Sequence, residues 1–139
     1  MFYKPKYFDV RELVTPSVYE RFGEKAFMFI DNRILRTADM LRERFGPITI
    51  NTWFFGGTSQ CRGFRSSDCT IGAAFSQHRF GRALDMSFRN YSAEEIREDM
   101  RKNGDNAAYE FITRCEDGVS WLHIDNANIK HNGIYFFKP

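Results

Sequence analysis

Two histidines and one aspartate combine the residue types and the spacing of a metal site. His78 precedes Asp85 by seven residues, with Gly81 between them, and His123 lies far downstream. Glycine at position 81 favours a backbone bend or a close approach that a side chain would block, and such a bend would bring His78 and Asp85 together. A catalytic zinc ion takes three protein ligands and leaves its fourth position for water. The sequence therefore predicts one Zn²⁺ ion held by His78, Asp85 and His123.

Each of these residues has a commoner role when it is taken alone. A lone histidine is most often a core or surface residue, and a lone aspartate most often caps a helix or lies at the surface. The third histidine, His131, keeps that ordinary interpretation and is expected to be exposed near a turn. The combination of residues, rather than any one of them, favours a metal site.

The segments around His78 have to bring the three residues together. Residues 82–88 and residues 119–125 each predict a strand, and His123 lies on one face of the second strand. Residues 57–77 predict a long loop, a kind of segment that is usually functional or disordered in a compact domain. We therefore expect two neighbouring strands to carry two of the ligands and the loop to lead into the site.

Two regions predict helices. Residues 17–45 carry apolar side chains at three- and four-residue steps, with a break at Gly23 and a stop at Phe45-Gly46-Pro47. Ser92 and Glu95 form a capping box that begins a second helix, which runs to about position 102. Both helices are expected to pack on the sheet.

Two further segments predict strands and one segment is ambiguous. Residues 48–55 are rich in β-branched and aromatic side chains, and residues 134–137 form a short apolar run. Residues 107–115 fit either a helix or a strand.

The composition indicates a folded protein of ordinary polarity. The 139 residues suit one domain, 1–139, and 42% of them are hydrophobic while 27% are charged. The net charge of +2 predicts no strong nucleic-acid-binding field. No stretch reaches transmembrane length, and the first residues lack the apolar run of a signal peptide. We therefore expect a monomer with no nucleic-acid partner and no membrane insertion.

The three cysteines, Cys61, Cys69 and Cys115, are an odd number. Synthesis in a reducing cytoplasm with free thiols is the simplest expectation. Cys61 and Cys69 are close enough in sequence to pair, and the sequence leaves that possibility open. Cys115 lies near His123 in the sequence, but no other feature of a thiol protease accompanies it.

The composite pattern Ser76-x-His78-x-x-Gly81-x-Ala83-x-Asp85, followed by Trp121-x-His123, resembles the M15-type zinc peptidases. This family is D-alanyl-D-alanine carboxypeptidase-like and includes bacterial dipeptidases and phage endolysins, and the signalling domain of hedgehog proteins shares its fold. The match covers roughly residues 47–126. It implies a small α+β domain in which an antiparallel sheet carries the zinc site and packs against helices.

The resemblance also implies which residues bind substrate. Gly63-Phe64-Arg65 resembles the family segment whose arginine reaches the peptide carbonyl or carboxylate, so Arg65 is the candidate for oxyanion stabilisation. A surface salt bridge is the competing role for Arg65, and Arg62 is a rival in the same loop. Ser76 is expected to cap the local turn or to hydrogen-bond Asp85, and it joins Trp121 among the substrate-binding residues.

The general base departs from the family pattern. Many relatives carry an acid three residues before the last histidine, where this chain has Ser120, which cannot act as a base at neutral pH. Glu116 and Asp117 lie a few residues upstream, and either could reach the site across a turn at Gly118. Glu116 is preferred for its longer reach, whereas Asp117 beside a glycine is a good turn residue.

The expected function is therefore a zinc metallopeptidase that hydrolyses peptidoglycan stem peptides. Relatives include D-Ala-D-Ala carboxypeptidases and L-Ala-D-Glu endopeptidases, and the sequence does not choose between these types. A phage or prophage endolysin for cell wall degradation fits the small size and the expected lack of a signal peptide. Such an enzyme is made in the cytoplasm and reaches the wall through a lesion in the membrane. The alternative is a non-catalytic, zinc-stabilised binding protein or virion structural protein of the same fold. A nucleic-acid binder rests only on the slight positive charge.

Overall fold

Three α-helices and five short strands surround one apolar core in the computed structural model, which describes residues 2–139. Met1, the first residue of the predicted 1–139 domain, lies outside the described residues. The helices are α1 (Pro16–Phe22), α2 (Asn32–Phe45) and α3 (Ala93–Lys102). The strands are β1 (Ile48–Thr49), β2 (Ala83–Phe88), β3 (Arg114–Glu116), β4 (Leu122–Asp125) and β5 (Tyr135–Phe137). Among the described residues, no helix has the length and apolarity needed to cross a membrane.

The five strands form one mixed sheet in the order β1-β2-β4-β3-β5. Three neighbouring pairs are antiparallel, but β5 runs parallel to β3. The prediction of an antiparallel sheet is therefore wrong at this pair. The reason is the connection: residues 126–134 lead past β3, so β5 runs opposite to β4 but lies beside β3, which also runs opposite to β4.

The predicted helical region divides at a glycine, as expected. α1 ends at Gly23, which has a positive φ of 57°, and a 3₁₀ segment follows before α2 begins. Asp31 caps α2 by accepting a hydrogen bond from the amide of Arg33, and Gly46 ends the helix. The buried face of α2 then packs over the sheet with side chains that include Ile34, Ala38 and Leu41.

The predictions for the remaining segments are confirmed in part. Ser92 and Glu95 form the expected capping box of α3. The predicted strand over residues 48–55 is wrong beyond Thr49, because the next residues hydrogen-bond to other loops: the Asn51 amide donates to Glu12 and the Thr52 amide to Ser59. The ambiguous segment 107–115 contains both a 3₁₀ turn and the start of β3.

The alternation of β2 and β4 separates the core from a cleft. Leu84 and Met86 on β2, with Leu122 and Ile124 on β4, point into the core beside α3. The intervening residues of both strands therefore face the other side of the sheet. Those residues include two of the predicted metal ligands.

Candidate metal centre

Strand register places two of the predicted ligands directly opposite each other. β2 and β4 pair so that Asp85 faces His123, and Asp85 Oδ1 is 2.8 Å from His123 Nδ1. Directly opposed side chains on antiparallel strands begin only about 5 Å apart at Cβ. The sheet therefore brings these two residues together through its backbone ladder alone.

His78 reaches the same point from a short 3₁₀ helix, Gln77–Phe80, which ends at Gly81. Ser76 caps this helix, since its hydroxyl accepts a hydrogen bond from the His78 amide at 3.4 Å. Gly81 has a positive φ of 69°, and a Cβ at this position would lie 1.8 Å from the carbonyl oxygen of Phe29. Both expected reasons for a glycine, the bend and the close approach, are confirmed.

Hydrogen bonds fix the orientation of both imidazole rings. His78 Nδ1 donates to the carbonyl of Gly63 at 2.8 Å, which leaves Nε2 as the free ring nitrogen. His123 Nε2 lies 2.8 Å from Asp125 Oδ2, so Nδ1 is the ring nitrogen that faces Asp85. Metal-ligating histidines characteristically hold their second nitrogen in this way.

The three side chains fit a metal ion. One ligand atom from each of His78, Asp85 and His123 lies within 4.8 Å of the others, and all three residues are buried. His78 Nε2 approaches Asp85 Oδ2 to 3.2 Å, yet it has no hydrogen-bond partner among residues 2–139. A buried polar atom without a partner is costly, and metal coordination would remove that cost. Ligand atoms of a tetrahedral zinc ion stand roughly 3.3 Å apart, and here the Asp85 oxygens lie 2.8 Å from His123 Nδ1 and 3.2 Å from His78 Nε2.

The electrostatics of the cluster favour the ionised carboxylate. Burial acts to raise the pKa of Asp85, but hydrogen bonding to His123 and the proximity of His78 outweigh it and hold the pKa well below its usual range. Burial acts to lower the pKa of His123, but its hydrogen bonds with Asp125 and Asp85 prevail and raise the pKa to about 9. A cation between these groups would therefore meet a carboxylate that is already charged.

Asp125 and Arg114 belong to the site although the sequence interpretation gave them no role. Asp125 is fully buried and accepts two hydrogen bonds from Arg114, at 2.9 and 2.8 Å. This ion pair fixes the carboxylate that orients His123. The signal was present in the sequence, because a residue two positions after a strand ligand shares its face.

A cavity of about 540 Å³ opens over the cluster. Seven of the eight predicted site residues line it, namely Arg65, Ser76, His78, Asp85, Glu116, Trp121 and His123. Residues missed by the sequence interpretation, such as Arg114 and Phe137, complete its walls. The predicted ligands, the preferred acid and the predicted substrate-binding residues therefore share one cleft.

Arg65, rather than its rival Arg62, faces this cavity. Its Nε donates to the Cys61 carbonyl at 2.8 Å, and its Nη2 lies 3.3 Å from Asp85 Oδ2. Only 10% of the Arg65 side chain is exposed, so it is no surface salt bridge. Arg62 instead donates to Ser87 Oγ at 3.0 Å.

Cys61 and Cys69 form a disulfide, so the expectation of free thiols is wrong for this pair. The disulfide closes the base of the loop that carries Arg65. Cys115 is free but buried, and burial raises its pKa to about 12. A thiol with so high a pKa is no nucleophile at neutral pH.

The two candidate acids occupy different environments. Glu116 lies on the cleft face of β3 and lines the cavity. Asp117 does not line it; its carboxylate pairs with Arg101 at 3.1 Å and with Arg97 at 3.6 Å on the side of α3. His131 also lies away from the cleft, where it is exposed and contacts the Gly133 carbonyl.

A comparison of this chain with protein-family models, with curated proteins and with solved structures finds no match. The M15-type resemblance accordingly rests on the residues of the two motifs.

Proposed function

We propose that this protein is a zinc-dependent peptidase that hydrolyses stem peptides of peptidoglycan. The observation that carries this proposal is the convergence of His78, Asp85 and His123 at the floor of a cleft that also contains Glu116 and Arg65. A merely structural zinc site is usually closed by four protein ligands. Here three candidate ligands face an open cavity, as in hydrolytic sites.

The donor set favours zinc among the divalent metals. Two imidazole nitrogens and one carboxylate oxygen match the ligands of catalytic zinc, whereas calcium and magnesium take mainly oxygen ligands. A bound zinc ion supplies Lewis acidity, which makes water a usable nucleophile near neutral pH.

The other residues of the cleft have separate roles in the proposed hydrolysis. Glu116 accepts a proton from the attacking water and returns it to the amine that leaves when the C–N bond breaks. Arg65 is fixed by the Cys61 carbonyl and directs a permanent positive charge into the cleft, where it stabilises the negative charge that develops on the carbonyl oxygen. Trp121, which is 37% exposed, offers an apolar surface to the substrate at the rim.

The choice of peptidoglycan rests on the motif resemblance. M15-type peptidases act on bonds that involve D-alanine or on the L-alanyl-D-glutamate link, and phage endolysins of this type degrade the cell wall. Arg65 suits the carboxylate groups of such peptides, whereas Arg114, which also lines the cleft, is already paired with Asp125.

The decisive experiment combines metal analysis with hydrolysis of purified peptidoglycan by the zinc-loaded protein. We expect one zinc ion per chain and release of peptides with new termini, whose masses identify the bond. His78→Ala should lose both zinc and activity. Glu116→Gln should keep zinc and lose activity, because an amide cannot accept the proton.

Two matched variants serve as controls. His131→Ala removes an exposed histidine outside the cleft, and Asp105→Asn removes an exposed acid outside it. Both should keep zinc and most of the activity. Stoichiometric zinc without hydrolysis of any peptidoglycan would contradict the peptidase and favour the alternative, a zinc-stabilised binding or virion protein.

A further inference from the structure

The hairpin between β3 and β4 carries two residues of the cleft, and its β3 end is held by β5 instead of β4: the Asp117 amide donates to the Phe137 carbonyl at 2.6 Å. β3 pairs with β4 only at Arg114 and Cys115. Glu116, the last residue of β3, is paired only with Phe137 on β5. The chain then turns at Gly118, which has a positive φ of 75°, and returns through Trp121. The ladder of β4 therefore does not fix the position of Glu116.

Arg97 supplies the missing connection from α3. Its Nη2 donates to the Val119 carbonyl at 2.8 Å, and its Nη1 lies 3.2 Å from the Trp121 carbonyl and 3.4 Å from the Glu116 carbonyl. One guanidinium thus spans the whole hairpin, from the end of β3 to the start of β4. Its planar, fixed array of donors allows it to bind several carbonyls at once.

Arg97 is almost fully buried, with 3% of its surface exposed. A buried charge requires counter-charges, and two carboxylates supply them: Glu94 Oε2 at 2.8 Å and Asp117 Oδ1 at 3.6 Å from Arg97 Nε. Asp117 therefore has a clear role outside catalysis, as part of the charge balance for Arg97. Its side chain faces α3 behind the hairpin, while Glu116 faces the cleft.

We propose that Arg97 is a positioning residue, which fixes the hairpin carbonyls so that Glu116 and Trp121 keep their places in the cleft. The catalytic assignment of Glu116 rests on the proposed function, whereas the placement of Trp121 does not. A displacement of about 1 Å in a group that acts on substrate costs as much as a hundredfold in rate. Arg97 never touches the substrate; it acts through the backbone on either side of the turn.

The test uses Arg97→Gln and Arg97→Lys, with Arg101→Gln as the matched control. Arg101 lies one turn further along α3 and also pairs with Glu94 and Asp117, but it binds none of the hairpin carbonyls. The control therefore removes a charge from the same network and leaves the carbonyl contacts intact. Lysine keeps the charge of Arg97 but cannot bind three carbonyls in one plane. If Arg97→Gln does not fold, Arg97→Lys is the variant that tests the proposal.

The first measurement needs no activity. In a Trp53→Phe background Trp121 is the only tryptophan, and acrylamide quenching of its fluorescence reports how firmly the hairpin is held. We expect quenching to increase about twofold or more for both Arg97 variants and to stay unchanged for Arg101→Gln, with one zinc ion bound in each case. Unchanged quenching in Arg97→Lys, or an equal increase in the control, would overturn the proposal.

The second measurement is peptide hydrolysis. We expect kcat of Arg97→Lys to fall roughly 10- to 100-fold with a smaller change in KM, while Arg101→Gln stays close to the unmodified protein. A merely structural role would lower the melting temperature and leave kcat of the folded fraction unchanged. If the unmodified protein itself shows no hydrolysis, the proposed function fails, and the quenching of Trp121 still decides whether Arg97 fixes the hairpin.

Discussion

The cleft has two walls that are held in different ways. The sheet wall consists of Asp85 on β2 with His123 and Asp125 on β4, and the pairing register alone sets their relative positions. The loop wall consists of residues 61–76, which belong to no strand or helix. Candidate metal ligands thus lie on regular structure, or on the short helix that abuts it, whereas most substrate-facing groups lie on a loop.

The loop wall depends on individual cross-links instead of a ladder. The Cys61–Cys69 disulfide closes it, and the Arg79 guanidinium donates to the carbonyls of Cys69 at 2.8 Å and Ser66 at 3.3 Å. Its tip is open to solvent, since Phe75 is 81% exposed, whereas His123 is only 7% exposed. The comparison teaches that two candidate metal ligands, Asp85 and His123, are placed by strand pairing, whereas the loop side of the cleft is placed by single cross-links. The two walls should therefore respond differently to the same substitution strategy.

The largest effect is expected where the two walls meet, at Gly81. Gly81→Ala places a Cβ against the Phe29 carbonyl and strains a backbone with a positive φ, so it should cost about 2–5 kcal/mol of unfolding free energy. Urea unfolding measures this cost, and zinc affinity should fall with it. Gly133→Ala is the control, because this glycine also has a positive φ but its Cβ would contact nothing within 4 Å. Equal losses of unfolding free energy in the two variants would show that the contact with the Phe29 carbonyl does not destabilise Gly81→Ala.

Removal of the disulfide should weaken the loop wall more than the sheet wall. The double variant Cys61→Ser, Cys69→Ser opens a short loop and should lose about 2–3 kcal/mol of unfolding free energy. Zinc affinity should fall less than substrate affinity, because Asp85 and His123 keep their strand pairing and only His78 depends on the loop for its ring orientation, through the Gly63 carbonyl, whereas KM for peptidoglycan should rise. A loss of zinc as large as the loss in substrate affinity would show that the two walls are not separable.

Asp125→Asn tests the sheet wall. The amide removes the negative charge that holds His123 Nε2 and leaves Arg114 without its ion-pair partner. Zinc affinity should fall about 10- to 100-fold, measured by competition with a chelator. Asp105→Asn, at an exposed position beyond α3, is the control and should leave the affinity unchanged. An unaltered affinity in Asp125→Asn would remove Asp125 from the site.

The smallest effect is expected at Cys115, where removal of the disulfide should leave the rate of thiol alkylation unchanged. This thiol is buried on the core face of β3 and its pKa is raised to about 12, so it should resist alkylation near neutral pH until the protein unfolds. In the variant without the disulfide it is the only thiol left, and its labelling rate should match that of the unmodified protein. Faster labelling there would mean that loosening the loop also opens the sheet.

Local patterns predicted much of the secondary structure. The capping box at Ser92, the break at Gly23 and the stop at Gly46 are signals within a few residues, and each is confirmed. The strand over residues 48–55 failed because its backbone groups hydrogen-bond to distant loops. The parallel pairing of β5 was missed because strand order is set by the whole sheet.

The sequence by itself determined the ligand types and the need for glycine at position 81. Those inferences follow from the residue types, because imidazole and carboxylate are metal-binding groups and only glycine lacks a Cβ. The tertiary structure alone decided that Asp125 pairs with Arg114, that Arg65 rather than Arg62 faces the cleft, and that Glu116 rather than Asp117 lies on the cleft side of their hairpin. Strand alternation places neighbouring residues on opposite faces, but packing and hydrogen bonding in the folded sheet decide which face borders the cleft.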